Sequence, residues 1–220
     1  MIVIEETNVF SAYKKAFFAL YDSDNLSSDP EFWKEEVALI EISRADPSLK
    51  NVNINNFEAL FKFNFDYQKF FPYTDQKFVK KELRIWPSEF VKSSRLDELI
   101  ICLKKDPLNK RILANLWLYK YSDRRKPAPC LTQINFRVKD NLLEMHSHMR
   151  ANNATFLLFL DMYILQRVQK FVAFKLNREI GKYLHIIDSF HFYKSESEMI
   201  NKQKKYIEES SYWNEKDNYL

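Results

Sequence analysis

The chain has 220 residues, of which 46% are hydrophobic, 16% aromatic and 29% charged, with a formal net charge of +4. A chain of this length and composition can bury one core, which excludes a disordered or fibrous protein. Its single glycine, Gly181, excludes the phosphate loops that need several glycines at fixed spacing. We therefore interpret residues 1–220 as one domain in which any phosphate is held by side chains.

The composition also indicates a reduced, cytoplasmic protein without a membrane segment. Glu5 and Glu6 stand near the start, where a signal peptide needs positive charge. No uncharged stretch reaches the roughly 18 residues of a membrane span. Cys102 and Cys130 are too few for a disulfide framework or a four-ligand zinc site. Because basic and acidic residues are interspersed, nucleic-acid binding is not indicated.

The first half of the chain predicts helices and one strand around a middle region that gives no clear pattern. Apolar spacing over residues 9–21 predicts an amphipathic helix, and residues 37–42 predict a strand. Residues 57–65 fit a second helix, although their aromatic side chains also suit a strand. An apolar stripe that includes Leu96 and Leu103 predicts a helix ending near Pro107.

The second half predicts a hairpin, a long helix and a final strand. Strands are expected over residues 112–118 and 133–138, with a turn at 139–141 and a return strand over 142–149. An apolar helix follows over 155–174, and the last strand covers 186–193. Strands and helices do not alternate strictly, so we predict an α+β fold with a mixed sheet flanked by helices, including the long buried one.

Several side chains in this half could carry chemistry. Asp161 lies inside the apolar helix, where a carboxylate is costly unless it is paired or at a rim. Cys130 becomes a nucleophile only if positive charge or a base stabilises its thiolate, and an inert buried cysteine is the alternative. Lys110, Arg111 and Arg150 could hold an anion or simply be solvated.

Two histidines on the return strand could suggest a metal site. His146 and His148 share one face of that strand with Glu144. A zinc site needs at least three protein ligands, and no clear third ligand is evident. We therefore predict no metal and treat these side chains as surface or cleft-wall residues.

The order of motifs in the second half is more specific than any one of them. The motifs occupy residues 106–113, 116–117, 128–130, 133–138, 149–153 and 189–193, with Asp161 in the intervening helix. In this order and spacing they resemble the thymidylate synthase family, over roughly the C-terminal half of the chain. The resemblance implies a thymidylate synthase-like fold, an obligate homodimer, and transfer of a one-carbon unit from 5,10-methylenetetrahydrofolate to C5 of a pyrimidine nucleoside monophosphate.

The resemblance also implies roles for the matching residues. Cys130 would add to C6 of the pyrimidine, and Arg150 would bind the nucleotide phosphate beside the thiolate. Lys110 and Arg111 would reach the same phosphate from the partner subunit, which implies shared sites. The remaining matches are His191 and Tyr193 for the sugar hydroxyl, Trp117 for the site wall, Glu58 for the catalytic glutamate, and Asn153, where the family has an aspartate that contacts the folate.

Asp161 is the informative departure from the family pattern. The family has an asparagine there, which reads uracil, whereas a carboxyl group can accept from the amino group of cytosine and, when protonated, donate to N3. This resembles the cytidylate hydroxymethylase branch, with dCMP or CMP as substrate and water completing the product. Departures at Asn153 and Leu157 leave two alternatives open: another nucleotide or non-folate chemistry, and a catalytically impaired homologue that binds nucleotide as a regulatory subunit.

Overall fold

The computed structural model describes residues 1–43, 67–74, 77, 96–116 and 128–215. Its strands and helices, numbered in chain order, are β1 (Ile2–Glu6), α1 (Val9–Tyr21), β2 (Phe32–Ile42), α2 (Leu96–Lys105), β3 (Leu113–Asn115), β4 (Leu131–Lys139), β5 (Leu142–Met149), β6 (Asn152–Asn153), α3 (Leu157–Lys175), β7 (Glu179–Tyr193), α4 (Ser197–Glu209) and α5 (Ser211–Glu215). The α+β class is confirmed.

A mixed sheet of seven strands organises the described residues. The order is β1-β2-β7-β5-β4-β3, and β6 pairs with the end of β7. The β7 strand runs parallel to β5 and antiparallel to β2, so it lies at the centre of the sheet. The short β6 places Asn153 opposite His191. The ends of β5 and β7 therefore lie beside β6, and the candidate site lies there.

Helices α1 and α3 cover one face of the sheet and enclose the core. The Asn8 side chain caps α1 by accepting from the backbone N–H of Ser11 at 2.9 Å, which satisfies a donor that the helix leaves free. Almost every side chain of α3 is buried, so the expected long buried helix is confirmed. The buried ring of Tyr13 packs against both Phe159 and Trp213 and so joins α1 to α3 and α5.

Two local features explain how the hairpin and the central strands fit together. Asp140 and Asn141 both have positive φ, 50° and 67°, as the two-residue turn between β4 and β5 requires. A Cβ on Gly181 would lie 3.0 Å from Leu142 Cβ and 3.3 Å from the Leu143 carbonyl oxygen. The only glycine of the sequence thus stands where β7 approaches β5 closely.

The expected elements agree with the structure where both can be compared, except that four short or sparse elements were not predicted and two strands begin earlier than expected. The helix over 9–21, the helix that begins at Leu96 and the β4–β5 hairpin are confirmed. The last strand begins at Glu179, seven residues before the expected 186, and β2 begins at Phe32, five residues before the expected 37. The elements that were not predicted are β1, β6, α4 and α5. The expected segment 57–65 and most of 112–118 lie outside the described residues. None of the described helices is long and apolar enough to cross a membrane.

Candidate active site

Cys130 and Arg150 lie together where β4 begins and β5 ends. Cys130 is exposed and not in a disulfide, and its carbonyl oxygen accepts from the backbone N–H of Arg150 at 2.9 Å. The Arg150 guanidinium donates from Nε to the Pro129 carbonyl at 3.1 Å and from Nη2 to the Ala128 carbonyl at 3.3 Å. These bonds hold a positive charge beside the segment that carries the thiol, an arrangement that favours a thiolate.

Tyr193 and His191 approach the same corner from the end of β7. Burial raises the pKa of Tyr193, and the neighbouring Cys130 raises it further. The His191 ring packs against Tyr193 at 4.8 Å between centroids and stacks on Phe32 at 4.0 Å. The central strand thus carries an imidazole and a phenol to the neighbourhood of the cysteine.

The hydrogen bonds of His191 determine what its ring can offer a ligand. Nδ1 lies 3.0 Å from the Ser189 carbonyl oxygen, which can only accept, so Nδ1 carries the proton. Burial lowers the pKa of His191, and the ring is therefore neutral near pH 7. Nε2 is buried and has no hydrogen-bond partner among the described residues. An acceptor of this kind, 97% hidden within the fold, suits a hydroxyl donor on a ligand.

Asn153 is held by a carboxylate from the next turn of the chain. Its Nδ2 lies 3.1 and 3.0 Å from the two carboxylate oxygens of Glu196, and its Oδ1 accepts from the backbone N–H of Thr155 at 2.6 Å. The Thr155 hydroxyl donates to Glu196 Oε2 at 2.7 Å. Glu196 therefore fixes the turn between β6 and α3, and both the nitrogen and the oxygen of the Asn153 amide have a partner within the chain.

Asp161 is buried, with 6% of its surface exposed, in the second turn of α3. Its Oδ2 accepts from Asn152 Nδ2 at 3.1 Å, and the same nitrogen lies 3.3 Å from His185 Nε2. Burial lowers the pKa of His185 to about 3, so that imidazole is neutral. The carboxyl group that the sequence singled out is thus bonded to Asn152, whose amide nitrogen also contacts His185.

Lys110 and Arg111 lie away from Cys130 within the same chain. They come directly before Ile112, whose carbonyl oxygen accepts from the Phe136 N–H at 3.4 Å. This segment therefore lies beside Phe136 of β4. Phe136 lies five residues beyond Leu131, which is about 17 Å along a strand. Lys110 lines a cavity of about 390 Å³ on the sheet face not covered by α1 and α3, together with Arg137 and His148.

The structure brings six of the expected site residues to one region: Cys130, Arg150, His191, Tyr193, Asn153 and Asp161. It places Lys110 and Arg111 elsewhere in the chain, and Glu58 and Trp117 lie outside the described residues. His148 Nε2 lies 2.9 Å from Asp188 Oδ1. Within the described ranges, no group of three or more His, Cys, Asp and Glu side chains could hold a metal ion.

Sequence reasoning missed Glu196, Asn152 and His185. One signal was present for His185, because Tyr183, His185 and Ile187 alternate as buried positions of β7. A histidine in the buried phase of a strand needs a polar partner. The sequence predicted this strand only from Ile186 onwards, so the alternation of buried positions before that residue was not recognised. No sequence signal connects Glu196 to Asn153 across 43 residues.

The fold and this corner define a class: a mixed-sheet α+β protein with an exposed cysteine beside an arginine. The family model described as thymidylate synthase matches residues 76–211, more than half of the chain. The solved structure of the thermostable thymidylate synthase A from Bacillus subtilis superposes with a TM-score of 0.62 at 15% identity, covering 90% of this chain and 84% of that one, which supports the fold.

Three relatives show similarity at the level of sequence. The thymidylate synthases of Mycoplasma mobile and Bacillus licheniformis are 24% and 26% identical, over 59% and 52% of this chain and 47% and 41% of theirs. A putative thymidylate synthase of Methanosarcina barkeri is 22% identical over 54% of each chain. The chain belongs to the thymidylate synthase family, and its matches span about half the length of these relatives.

Proposed function

We propose that this protein transfers a one-carbon unit to C5 of a pyrimidine nucleoside monophosphate. The observation that carries the proposal is the corner in which Arg150 flanks the exposed Cys130 and Tyr193 lies nearby. A thiolate, a fixed guanidinium and a phenol are the groups needed to attack an electron-poor ring and hold the phosphate attached to it. Family membership supports the same reaction class.

In the proposed reaction the Cys130 thiolate adds to C6 of the pyrimidine. The C5–C6 electron pair shifts towards the ring carbonyl or imine, which makes C5 nucleophilic towards the one-carbon unit. C5 would form a bond to the one-carbon unit and lose its proton to solvent, and the bond between that carbon and the nitrogen of its donor would break. Water would add to the exocyclic carbon, and departure of the Cys130 sulfur would then restore the ring. Arg150 favours the thiolate at the start of this sequence and its release at the end, because it stabilises negative charge on sulfur in both steps.

Side chains of the same corner provide for the sugar and the phosphate. The unpartnered Nε2 of His191 would accept from a sugar hydroxyl, and the Tyr193 hydroxyl would add a second bond. Arg150 uses two of the five guanidinium N–H groups on backbone carbonyls of the described chain. Its other N–H groups can bind phosphate, which agrees with the absence of a glycine-rich loop.

We propose a cytidylate, dCMP or CMP, as the pyrimidine substrate. Asp161 is the support for this choice, because a carboxyl group can accept from the cytosine amino group and, in its protonated form, donate to N3. Uracil presents the reverse pattern and would leave a buried polar group unpaired, which is costly. Water would then complete a hydroxymethyl product.

The proposed one-carbon donor is 5,10-methylenetetrahydrofolate, which would supply a carbon at the oxidation level of formaldehyde. Asn153 stands where the family resemblance places a folate contact, and its amide nitrogen bonds to the Glu196 carboxylate. A folate that bound Asn153 through this amide nitrogen would share it with that carboxylate.

We also propose a homodimer in which Lys110 and Arg111 serve the partner's phosphate site. Both side chains are exposed, and the register of β3 on β4 keeps them about 17 Å from Cys130 in their own chain. The uncovered sheet face, which includes the half-buried Leu184 and Ile186, offers a surface for a second copy. Mixing inactive Cys130→Ala and Arg111→Ala proteins should restore activity, and no recovery from a mixed dimer would contradict the shared site.

Tritium release from C5-labelled nucleotides tests the reaction. The full chain should release tritium from dCMP or CMP in the presence of methylenetetrahydrofolate, and Cys130→Ala should abolish the release. Cys102→Ala is the matched control, since Cys102 is the other exposed free cysteine. Release from dUMP or UMP but not from cytidylates would refute the role of Asp161. The need for a free thiol also supports a cytoplasmic location.

A second candidate function is nucleotide binding without one-carbon transfer, as a regulatory subunit. Two departures from the family pattern favour it. Asn153 bonds to Glu196 through its amide nitrogen, and Leu157 is half-buried at the start of α3. Tight binding of cytidylate without tritium release from any pyrimidine nucleotide would favour this function.

A further inference from the structure

A cavity of about 390 Å³ lies on the face of β4 and β5 that the helices α1 and α3 do not cover. Its volume is within the range of small-molecule pockets in proteins. The lining side chains alternate along the two strands: Gln133, Asn135 and Arg137 on β4, and His146 and His148 on β5. The antiparallel register sets Gln133 opposite His148 and Asn135 opposite His146. This sheet-face cavity therefore has a polar floor made by two neighbouring strands.

Two cationic side chains lie at the same end of the sheet-face cavity. Strand β3 runs antiparallel to β4 with Leu113 opposite Asn135, so the residues before Leu113 extend towards Arg137. Lys110 lies in that segment and lines the cavity together with Arg137. Because both charges have the same sign, both would stabilise an anion that lies between them.

The positive charge at this end is not neutralised by the surrounding strands. Within the part of the chain that the structure describes, no carboxylate lines the cavity, and neither Lys110 nor Arg137 forms an ion pair. Glu144 stands opposite Arg137 in the register but does not line the cavity. Asp188 is bonded to His148 at the other end, with Oδ1 2.9 Å from Nε2. The cavity thus has one end that suits an anion.

The floor of the cavity also carries an unused hydrogen-bonding group. Asn135 Oδ1 is buried and has no hydrogen-bond partner among the described residues, which is costly. A ligand hydroxyl would satisfy this amide in either of its orientations, because a hydroxyl both donates and accepts. Asn135 lies two residues from Arg137, about 7 Å along a strand. The phosphate and the hydroxyl groups of a phosphorylated sugar are separated by a similar span.

We propose that the sheet-face cavity binds a phosphate ester that also carries hydroxyl groups, which is either a sugar phosphate or a nucleotide. Lys110 and Arg137 hold its phosphate, and Asn135 bonds to one of its hydroxyl groups. Arginine offers paired N–H donors to phosphate oxygens, and lysine adds a second charge. The inference does not rest on the proposed reaction, because neither Cys130 nor Arg150 lines this cavity.

The proposed homodimer uses the same face and the same lysine. Lys110 cannot hold an ester in its own chain and the partner's phosphate at the same time, so the ester competes with the second copy. Arg137 has a role only in the cavity. The test is therefore made on Arg137.

The histidines of the chain distinguish binding in the cavity from binding beside Cys130. Of the four histidines, His146 and His148 line the cavity, whereas His191 lies at the corner of Cys130. The ¹H–¹³C signals of the imidazoles, assigned by replacing each histidine with glutamine, are followed while the full chain is titrated with ribose 5-phosphate. We expect the signals of His146 and His148 to shift. Shifts confined to His191, or no shift of any imidazole, would overturn the inference.

Arg137→Gln tests the cation of the cavity. This variant should weaken binding of ribose 5-phosphate, measured at the His146 signal, by about tenfold or more, the effect of a hydrogen bond between charged groups. The matched control is Lys139→Gln, which removes the same charge from an exposed position of the same strand that does not line the cavity. It should leave the dissociation constant nearly unchanged, and thermal melting checks that both variants fold. Equal losses in the two variants would show that binding follows net charge alone, and the proposed site would be wrong.

Asn135→Ala and a series of probes test the hydroxyl contact. Asn135→Ala should weaken binding of ribose 5-phosphate but leave binding of inorganic phosphate unchanged. If inorganic phosphate binds the wild-type cavity as tightly as ribose 5-phosphate, the assignment of an ester is wrong. CMP, titrated at the same two histidine signals, identifies the source: tighter binding than that of ribose 5-phosphate indicates a nucleotide, and weaker binding indicates a sugar phosphate. Either of these results supports the site.

Discussion

Replacing Glu196 by alanine should destabilise the protein substantially through the turn between β6 and α3. Glu196 accepts from Asn153 at 3.1 and 3.0 Å and from Thr155 at 2.7 Å. Asn153 and Thr155 are 9% and 3% exposed, so water does not readily replace the carboxylate. Two buried donor groups lose a charged acceptor, at about 1.5 kcal/mol each, which gives a loss of about 3 kcal/mol in the free energy of unfolding.

The assay is urea unfolding of Glu196→Ala, with differential scanning calorimetry. For a chain of this length, a loss of about 3 kcal/mol corresponds to a fall in Tm of about 6–12 °C. Glu196→Gln keeps one acceptor and should recover about half of the loss. The matched control is Glu198→Ala, which removes a nearby carboxylate that is exposed and bonded to Lys202. If Glu196→Ala and Glu198→Ala unfold alike, the three hydrogen bonds do not stabilise the turn.

Three further predictions concern the phosphate site, the central strands and the buried histidine. Arg150→Ala should weaken nucleoside monophosphate binding about 10–100-fold but leave binding of the free nucleoside unchanged; equal losses for both would contradict the phosphate role. Gly181→Ala should lower the free energy of unfolding by about 1–3 kcal/mol, because its Cβ would lie 3.0 Å from Leu142 Cβ. An increase in the free energy of unfolding would contradict this, since it would show that β5 and β7 can accommodate the added Cβ. Burial lowers the pKa of His185 from 6.5 to about 3, so below pH 6.5 the unfolded chain binds a proton that the folded chain does not. As the pH is lowered below 6.5, this group should therefore decrease the free energy of unfolding by up to about 1.4 kcal/mol per pH unit. When the free energy of unfolding is measured by urea between pH 4 and 6.5, it should depend less steeply on pH in His185→Gln than in the wild type. Equal pH dependences would refute the lowered pKa of His185.

Local patterns predicted those elements whose signals lie within one stretch of sequence. The helix α1 shows a regular apolar period, and the β4–β5 turn has Asp140 and Asn141 where positive φ is needed. The helix α4 was missed because its buried side chains are only Ile200, Gln203 and Ile207 in 13 residues. Such a sparse stripe resembles a solvated segment until a surface is available for it to pack on.

The candidate site was predictable from the order of its motifs, but the network behind it was not. Cys130, Arg150 and Tyr193 stand in motifs that resemble a known family, and the structure brings them together. The pairing of Ser147 with His185 depends on the parallel register of β5 and β7, two strands separated by α3. Periodicity indicates which side chains point inward. It does not indicate which inward side chains from distant strands meet.

The two residues of β6 connect both polar clusters of the site. Successive side chains of a strand point to opposite sides, so Asn152 bonds to Asp161 while Asn153 bonds to Glu196. The β7 strand fixes this dipeptide from one side, by pairing Asn153 with His191. Because Arg150 lies two residues upstream of Asn152, a displacement of β6 would move both the proposed phosphate ligand and the carboxyl group that is proposed to contact the base. Glu196 belongs to neither group, but its bonds to Asn153 and Thr155 hold the backbone segment that lies between the two.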